Sequence, residues 1–524
     1  MKAITAPASE GGYNPYSPIP ITLGLLLFFR VFFVATYPYN IAGDGTQYYW
    51  MILNWKSHLL HASGYPFFFN FPRMVFEFTG LTQGDSAIFR YLLLITQHAV
   101  DMGVLVLLFF TLRRVFGNFT AIAACLLYGL NPYILSVVSS CRPEWFQADL
   151  FTASLCIAFF AYESSRFQTK LALYVLSSLV FTLGYFTKFN LLPLCLALVL
   201  IVSADATSWK SKALLFFCMA AGCLIFRWGY VTFYHYPSTG TRALTYDRSW
   251  ILIEKASRFA SDAKLNTNNG VSTKRYKLLT ISMSNRFRWQ PENPASFFRH
   301  VDALPPEKRQ PFRDRFLPIL SAEEPELDQM IQENPKASQF LGNPLLISQY
   351  IGLEESDTLG TKVFLEAVWA EPGVYLAHVF SEAWESLFTV KKNSFPVNQR
   401  LGWKSLRSPR AFDPQRHVVE KLPFAFVKVK LNKSRGMAFE PPIFLMPGIQ
   451  LFSILAHLFK YWVQVAEFLA LGVAAGAVIG GIRDHQWTKQ RILPVMMFLM
   501  VTGFIFFSCA IYEFRPVKEL NVIA

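Results

Sequence analysis

Long apolar runs dominate the chain, and charged residues fall mostly between them. A membrane-spanning helix needs about 20 predominantly apolar residues. Runs of that kind lie at 19–37, 88–111, 119–138, 145–162, 171–187, 190–204, 213–233, 462–482 and 492–512. The pattern predicts an all-α polytopic membrane protein with about nine or more transmembrane helices. The sixth run is short, so its helix is expected to be tilted or broken. A large polar segment separates the seventh and eighth runs. The chain therefore divides into a transmembrane module at 1–233, a loop domain at 234–461 and C-terminal helices at 462–524.

The loop domain reads as helical and irregular. Apolar spacing near 249–260 and 362–389 suits amphipathic helices. Pro291, Pro294, Pro305, Pro306 and Pro311 punctuate its middle. The run 443–460 is apolar but adjoins the next span without a turn, and it is expected to lie in the membrane interface. No internal repeat is visible.

Orientation follows from the short connections. Arg113 and Arg114, Arg166 with Lys170, Lys210 with Lys212, and Arg483 with Lys489 and Arg491 fall on one side. Turns on the other side hold only Arg142 and Lys188. The positive-inside rule places the first side, and the N-terminus, in the cytoplasm. Segments 38–87 and 234–461 then face outside, and nine spans would leave the C-terminus outside as well. The N-terminal residues lack the basic, apolar and small-residue succession of a cleaved signal, so the first run is expected to be a retained helix.

Composition sharpens this picture. Among 524 residues, 53% are hydrophobic and 16% charged, with a mean hydropathy of +0.29. About a quarter of residues are charged in an ordinary soluble domain. These values exclude a disordered, collagenous or disulfide-stapled chain. The net charge of +14 would suggest nucleic acid in a soluble protein. Anionic lipid and the cytoplasmic Lys/Arg bias account for it here, and no nucleic-acid partner is expected. The seven Cys show no CxxC spacing and read as small hydrophobes.

Candidate chemistry collects at the outer boundaries. Asp44 follows the first span and precedes an aromatic stretch with Tyr48, Trp50, Met51 and Trp55, expected to lie on the membrane. Locally, Asp44 reads as the cap of a helix starting near Thr46. At the water–lipid boundary its carboxylate could instead act on a lipid headgroup. Arg142 and Glu144 straddle Pro143 at the start of a span. Pro in the first turn and an acid near the positive helix end are ordinary helix chemistry. Lys188 sits between two apolar runs, where a charge must snorkel or find a partner such as a lipid phosphate. Glu513 and Arg515 lie at the end of the last span. Inside the spans, Arg30, His98 and Asp101 are functional candidates by position. His98 and Asp101 share a helix face, and interhelical hydrogen bonding that fixes packing is the preferred reading.

An Arg in the first helix followed by GDGTQYYWMILNW resembles the first helix and loop of the GT-C glycosyltransferases, the superfamily of protein O-mannosyltransferases and lipid A aminoarabinose transferases. LRRVFGNFTAIAACLLYGLNPYILSVVSSCRPE is similar to their second and third helices. LSSLVFTLGYFTKFNLLPL is similar to their segment ending in Thr-Lys, and YEFRP to their late Glu/Arg motif. The likeness covers about residues 19–205 and, loosely, the last two helices. It implies a helical bundle with a cavity at the outer face, a polyprenyl-phosphate sugar donor and a catalytic acid in the first outer loop. Asp44 matches that acid, although Gly45 stands where members often carry Glu. Glu144 matches a second acidic group, and Arg142, Lys188 and Arg515 match phosphate contacts more loosely. A bacterial inner membrane, with the site facing the periplasm, is the implied setting.

The implied chemistry is consistent with the residues. A phosphate on the anomeric carbon leaves without a strong acid, and nearby cations would stabilise its charge. Asp44 would act as general base on an acceptor hydroxyl of a lipid, glycan or protein. Attack opposite the phosphate would invert the anomeric centre. A divalent metal ion could assist, with Asp44 and Glu144 as ligands, but two carboxylates do not identify a metal. The competing classes are a transporter or flippase of a lipid-linked saccharide, which predicts repeats and broken helices, and a non-catalytic envelope scaffold.

Overall fold

A computed structural model describes residues 18–240 with short breaks, parts of 242–388, three strands between 417 and 440, and isolated positions 472, 475 and 479. The predicted spans 462–482 and 492–512 otherwise lie outside the described residues. So do the interfacial run 443–460, the five prolines at 291–311, Glu513 and Arg515.

The transmembrane module is helical. Its elements are α1 (Pro18–Thr36), α2 (Asp44–Asn54), α3 (Gly64–Phe78), α4 (Ala87–Phe116), α5 (Asn118–Gly129), α6 (Pro132–Val138), α7 (Pro143–Glu163), α8 (Phe167–Thr187), α9 (Cys195–Ala204) and α10 (Trp209–Tyr230). Helix α10 continues through a π-helical turn, Val231–His235, into α11 (Tyr236–Thr239). Four described helices are long and apolar enough to cross a membrane: Ile88–Phe116, Pro143–Glu163, Phe167–Thr187 and Trp209–Thr239. Ile19–Ala35, Asn118–Gly129 and Cys195–Ala204 are shorter apolar helices on the first, third and sixth predicted spans.

The third span differs from expectation. It is broken after Gly129, because Pro132 opens a new helix and cannot continue the old one. The Asn131 carbonyl accepts the first bond of α6, from Leu135 N at 3.0 Å. Elsewhere the ends obey local chemistry. Ser86 Oγ caps α4 by accepting from Phe89 N, and Gly117 ends it at φ +84°. Arg113 and Arg114 occupy the last turn of α4, where the helix dipole favours cations.

Helices α7 and α8 pack closely through small polar residues. Ser154 Oγ donates to Ser177 O at 2.9 Å, and Ser177 Oγ donates back to Ser154 O at 2.7 Å. Tyr174 of α8, Leu198 of α9 and Leu215 of α10 complete that core. A second core joins α2, α3, α4 and α7 through Met51, Phe69, Leu94 and Phe146. Leu27, Phe28 and Val31 on α1, and Phe217, Leu224 and Ile225 on α10, point outward. Apolar surface on spans of this length suits lipid.

The two ends of the bundle are unlike. One gathers the C-terminal end of α8, the starts of α4 and α7, and the whole of α2 and α3. The other gathers the cations at the ends of α4 and the starts of α8 and α10. There Arg114 pairs with Glu163 at 3.6 Å. Lys170, grouped in sequence with the cations of this end, lies there and is buried: its Nζ is 2.8 Å from both Asp205 oxygens, and Tyr174 OH donates to Asp205 Oδ2 at 3.0 Å.

The later segment contains helices, as expected, and a sheet, which was not. Helix α12 (Val271–Phe287) packs on α13 (Glu324–Glu333) and α14 (Leu353–Ala370), and α15 (Pro372–Phe388) follows. Glu366 of α14 accepts from Ser272 N and Thr273 N at 2.9 Å each, satisfying donors in the first turn of α12. Lys255 and Glu382 form an ion pair between segments far apart in sequence. The antiparallel sheet adds to the all-α expectation. Strands β1 (Tyr39–Asn40), β2 (His417–Lys421), β3 (Val427–Leu431) and β4 (Ala438–Glu440) run in the order β1-β4-β3-β2. Tyr39 opposes Glu440, so the sheet ties the first loop to the late segment.

Candidate functional site

Gly45 sets the site. A Cβ there would stand 3.0 Å from the Cys141 carbonyl oxygen, so the first turn of α2 lies directly against the turn before α7. The backbone of Asp44 is thereby a close neighbour of Cys141–Arg142. Helix α2 opens at Asp44 itself, two residues before the expected start. Asp44 is placed by its backbone alone.

Arg142 occupies the cap position of α7 in extended conformation and is almost fully buried. Glu144 sits one residue inside the helix, as Pro at the first turn predicts, and feels the charges of Lys188 and Arg142. Its Oε1 lies 3.4 Å from Lys188 Nζ, while its Oε2 is buried without a hydrogen-bond partner. The two side chains keep 35% and 37% exposure, so the pair is accessible and worth well under about 1 kcal/mol as a stabiliser. Gln147 Nε2 donates to Lys188 O at 2.8 Å, a second tie between α7 and the end of α8. The structure therefore brings together Arg142, Glu144, Lys188 and the Asp44 backbone. Arg515 lies outside the described residues.

Beside this group stands a cluster that the sequence reading missed. Ser57 Oγ is 2.6 Å from His235 Nδ1 and donates to Ser63 Oγ at 2.9 Å. Ser63 Oγ also accepts from His58 N at 3.2 Å. His58 and His61 face each other with ring centroids 5.3 Å apart, and Tyr48 meets His61 edge-on at 5.5 Å. Ser63 immediately precedes Gly64, where a Cβ would sit 2.5 Å from Phe186 C and Thr187 N. The Ser/His cluster thus adjoins the end of α8 that carries Lys188. Burial, then the neighbouring His61, pulls the His58 imidazole down from 6.5 to about 4, so it is a neutral group at pH 7. The π-turn that carries His235 is a geometry common at functional sites. The spacing SHLLHAS, with two His three residues apart between two Ser, was the available signal.

The aromatic stretch after Asp44 is a correction. Tyr48, Tyr49, Met51 and Ile52 pack into the bundle core, and Trp50 is exposed. Tyr49 OH donates to Asp85 at 2.7 Å, and burial together with that acid raises its pKa far above the usual tyrosine range. Helix α3, not α2, presents the exposed apolar face.

The intramembrane residues make contacts between helices, the arrangement expected of His98 and Asp101 if they fix packing. Arg30 Nη2 lies 2.5 Å from Asp101 Oδ2, joining α1 to α4, with side chains 2% and 0% exposed. His98 Nε2 bonds Ser139 Oγ at 3.0 Å, and Gln97 Nε2 donates to Ser140 O at 2.9 Å. Asp101 pairs with Arg30 across helices rather than with His98 on its own face. Among the described residues, no group of three or more His, Cys, Asp or Glu converges to hold a metal ion. Comparison with family models, curated proteins and solved structures finds no match to the chain.

Proposed function

We propose that the protein is an integral-membrane glycosyltransferase of GT-C type. It moves a sugar from a polyprenyl-phosphate donor to a lipid, glycan or protein hydroxyl at the outer end of the bundle. The observation that carries this reading is the convergence of three separate outer turns, with the Asp44 backbone, Arg142, Glu144 and Lys188 at one place. Asp44 acts as general base on the acceptor hydroxyl. Arg142 and Lys188 meet the departing phosphate, where positive charge lowers the barrier most. Glu144 holds the Lys188 ammonium over the site until phosphate replaces it as partner. No step is assigned to a metal.

Replacing Asp44 tests the reading. Asn keeps the shape of Asp but cannot take a proton. Asp44→Asn should leave folding intact and lower transfer from a defined polyprenyl-phosphate sugar by a hundredfold or more, within the roughly 10²–10⁴ range of a lost general base. Wild-type transfer in that variant would overturn the base assignment. Movement of lipid-linked sugar across vesicles without transfer would favour a flippase.

Lys188→Ala and Arg142→Ala should each weaken use of the donor by about 1.5–3 kcal/mol, the value of a hydrogen bond to a charged group. The measurement is kcat/KM against donor concentration. Unchanged values in both variants would remove these cations from the site.

A further inference from the structure

Helix α3 has two unlike faces. Tyr65, Phe69 and Asn70 are buried in the core shared with α2, α4 and α7. Phe71, Met74, Val75 and Phe78 are each more than half exposed, Phe78 at 92%. Their spacing of three, four and seven residues makes one continuous stripe. Leu81, just beyond the helix, and Ile88 in the first turn of α4 are exposed as well. The helix's charges leave the stripe unbroken, because Arg73 is turned to the protein. Its Nη1 donates to Ile52 O at 3.0 Å, and its Nε and Nη2 donate to Glu77 at 3.0 and 2.9 Å.

The position of the helix says what covers this stripe. Gly64 begins α3 against Phe186–Thr187, where α8 ends. Residues 79–86 then lead from α3 into the start of α4. Both α8 and α4 are long and apolar enough to span a membrane. Helix α3 thus starts at the end of one such span, packs against both α8 and α4, and leads into the start of the other; it is about 22 Å long at 1.5 Å per residue. Ile88, in the first turn of a helix long and apolar enough to span a membrane, is exposed as the stripe is.

We infer that α3 is an interfacial helix whose Phe71/Met74/Val75/Phe78 stripe is seated in the outer-leaflet lipid, at the boundary of headgroups and acyl chains. A charge-free stripe of this kind buries favourably there and unfavourably in water. The seating has a consequence for α2. Asn70 Nδ2 donates to Met51 O at 3.5 Å and Arg73 to Ile52 O, so α3 carries α2 with it. The lipid surface thus sets the height of the helix that begins at Asp44. This inference holds whatever reaction the site performs.

The test places a photoreactive benzophenone side chain at Phe78, at Met74 and, as an inward control, at Phe69. The full-length protein is held in bilayer discs of phosphatidylethanolamine and phosphatidylglycerol, irradiated and analysed by mass spectrometry. Lipid adducts at positions 78 and 74, several-fold above position 69, are the expected result. Position 69 should instead couple to its own chain near Tyr65, Trp145 or Phe146. Crosslinks from 78 and 74 to residues 443–460, crosslinked dimers, or no adduct at either position would each overturn the proposal. Phe78 is so exposed that the substitution leaves the core untouched.

Discussion

His58 lies close to His61 and is held near a pKa of about 4, so the folded protein resists its protonation. The unfolded chain, with an ordinary value of 6.5, takes up that proton more readily. Stability from this group is complete above pH 6.5 and is lost as pH falls toward 4. The full effect is about 3 kcal/mol, from 1.36 kcal/mol per unit. Thermal melts between pH 7 and 5 should show the slope in the wild type and a flatter one in His58→Gln, and equal slopes would remove His58 as its source. At this scale the charged site residues were legible. Arg142, Glu144 and Lys188 stand between apolar runs, where a charge needs a reason. Ser57, Ser63 and His235 were not, because uncharged polar groups leave no periodic mark and Ser57 meets a partner 178 residues away.

Gly64 shows how an element boundary is fixed by close approach. A methyl group there would meet the backbone of Phe186 and Thr187, which cannot swing aside as a flexible side chain can. Gly64→Ala should cost about 1–3 kcal/mol or more by overpacking, read as a lowered Tm, and an unchanged Tm would mean α3 and α8 are not pressed together. The Arg30–Asp101 pair makes the opposite point about α1 and α4. Removing one partner leaves a buried charge, so Arg30→Leu alone should cost about 3–5 kcal/mol. The double change to Leu at 30 and 101 should recover much of that loss, and no recovery would argue against direct pairing. Four spans, Ile88–Phe116, Pro143–Glu163, Phe167–Thr187 and Trp209–Thr239, were legible from apolar run length, whereas the break at Asn131–Pro132 was missed although its proline signals it. The sheet was missed although VKVKL alternates strictly, because prolines and charges around it suggested irregular chain.

The whole molecule rests on which end faces which compartment. Contacts place Gly45 by Cys141, Gly64 by Phe186 and Ser57 by His235 at one end, and Arg114 by Glu163 and Lys170 by Asp205 at the other. Those are the two groups into which the cation pattern sorted the turns, so the sidedness was legible before any contact was known. Which end faces the cytoplasm is an expectation of the positive-inside rule, drawn from the cations of the α4–α5, α7–α8 and α9–α10 connections. Lys56 and Ser165 are exposed at opposite ends. A cysteine at Lys56 should react with a membrane-impermeant maleimide added to intact cells, above the wild-type background of native cysteines, and one at Ser165 should react only after permeabilisation. The reversed result would turn the molecule over. It would put the Asp44–Arg142–Lys188 end in the cytoplasm, and with it both the outer-face sugar transfer and the outer-leaflet seat of α3 would fall.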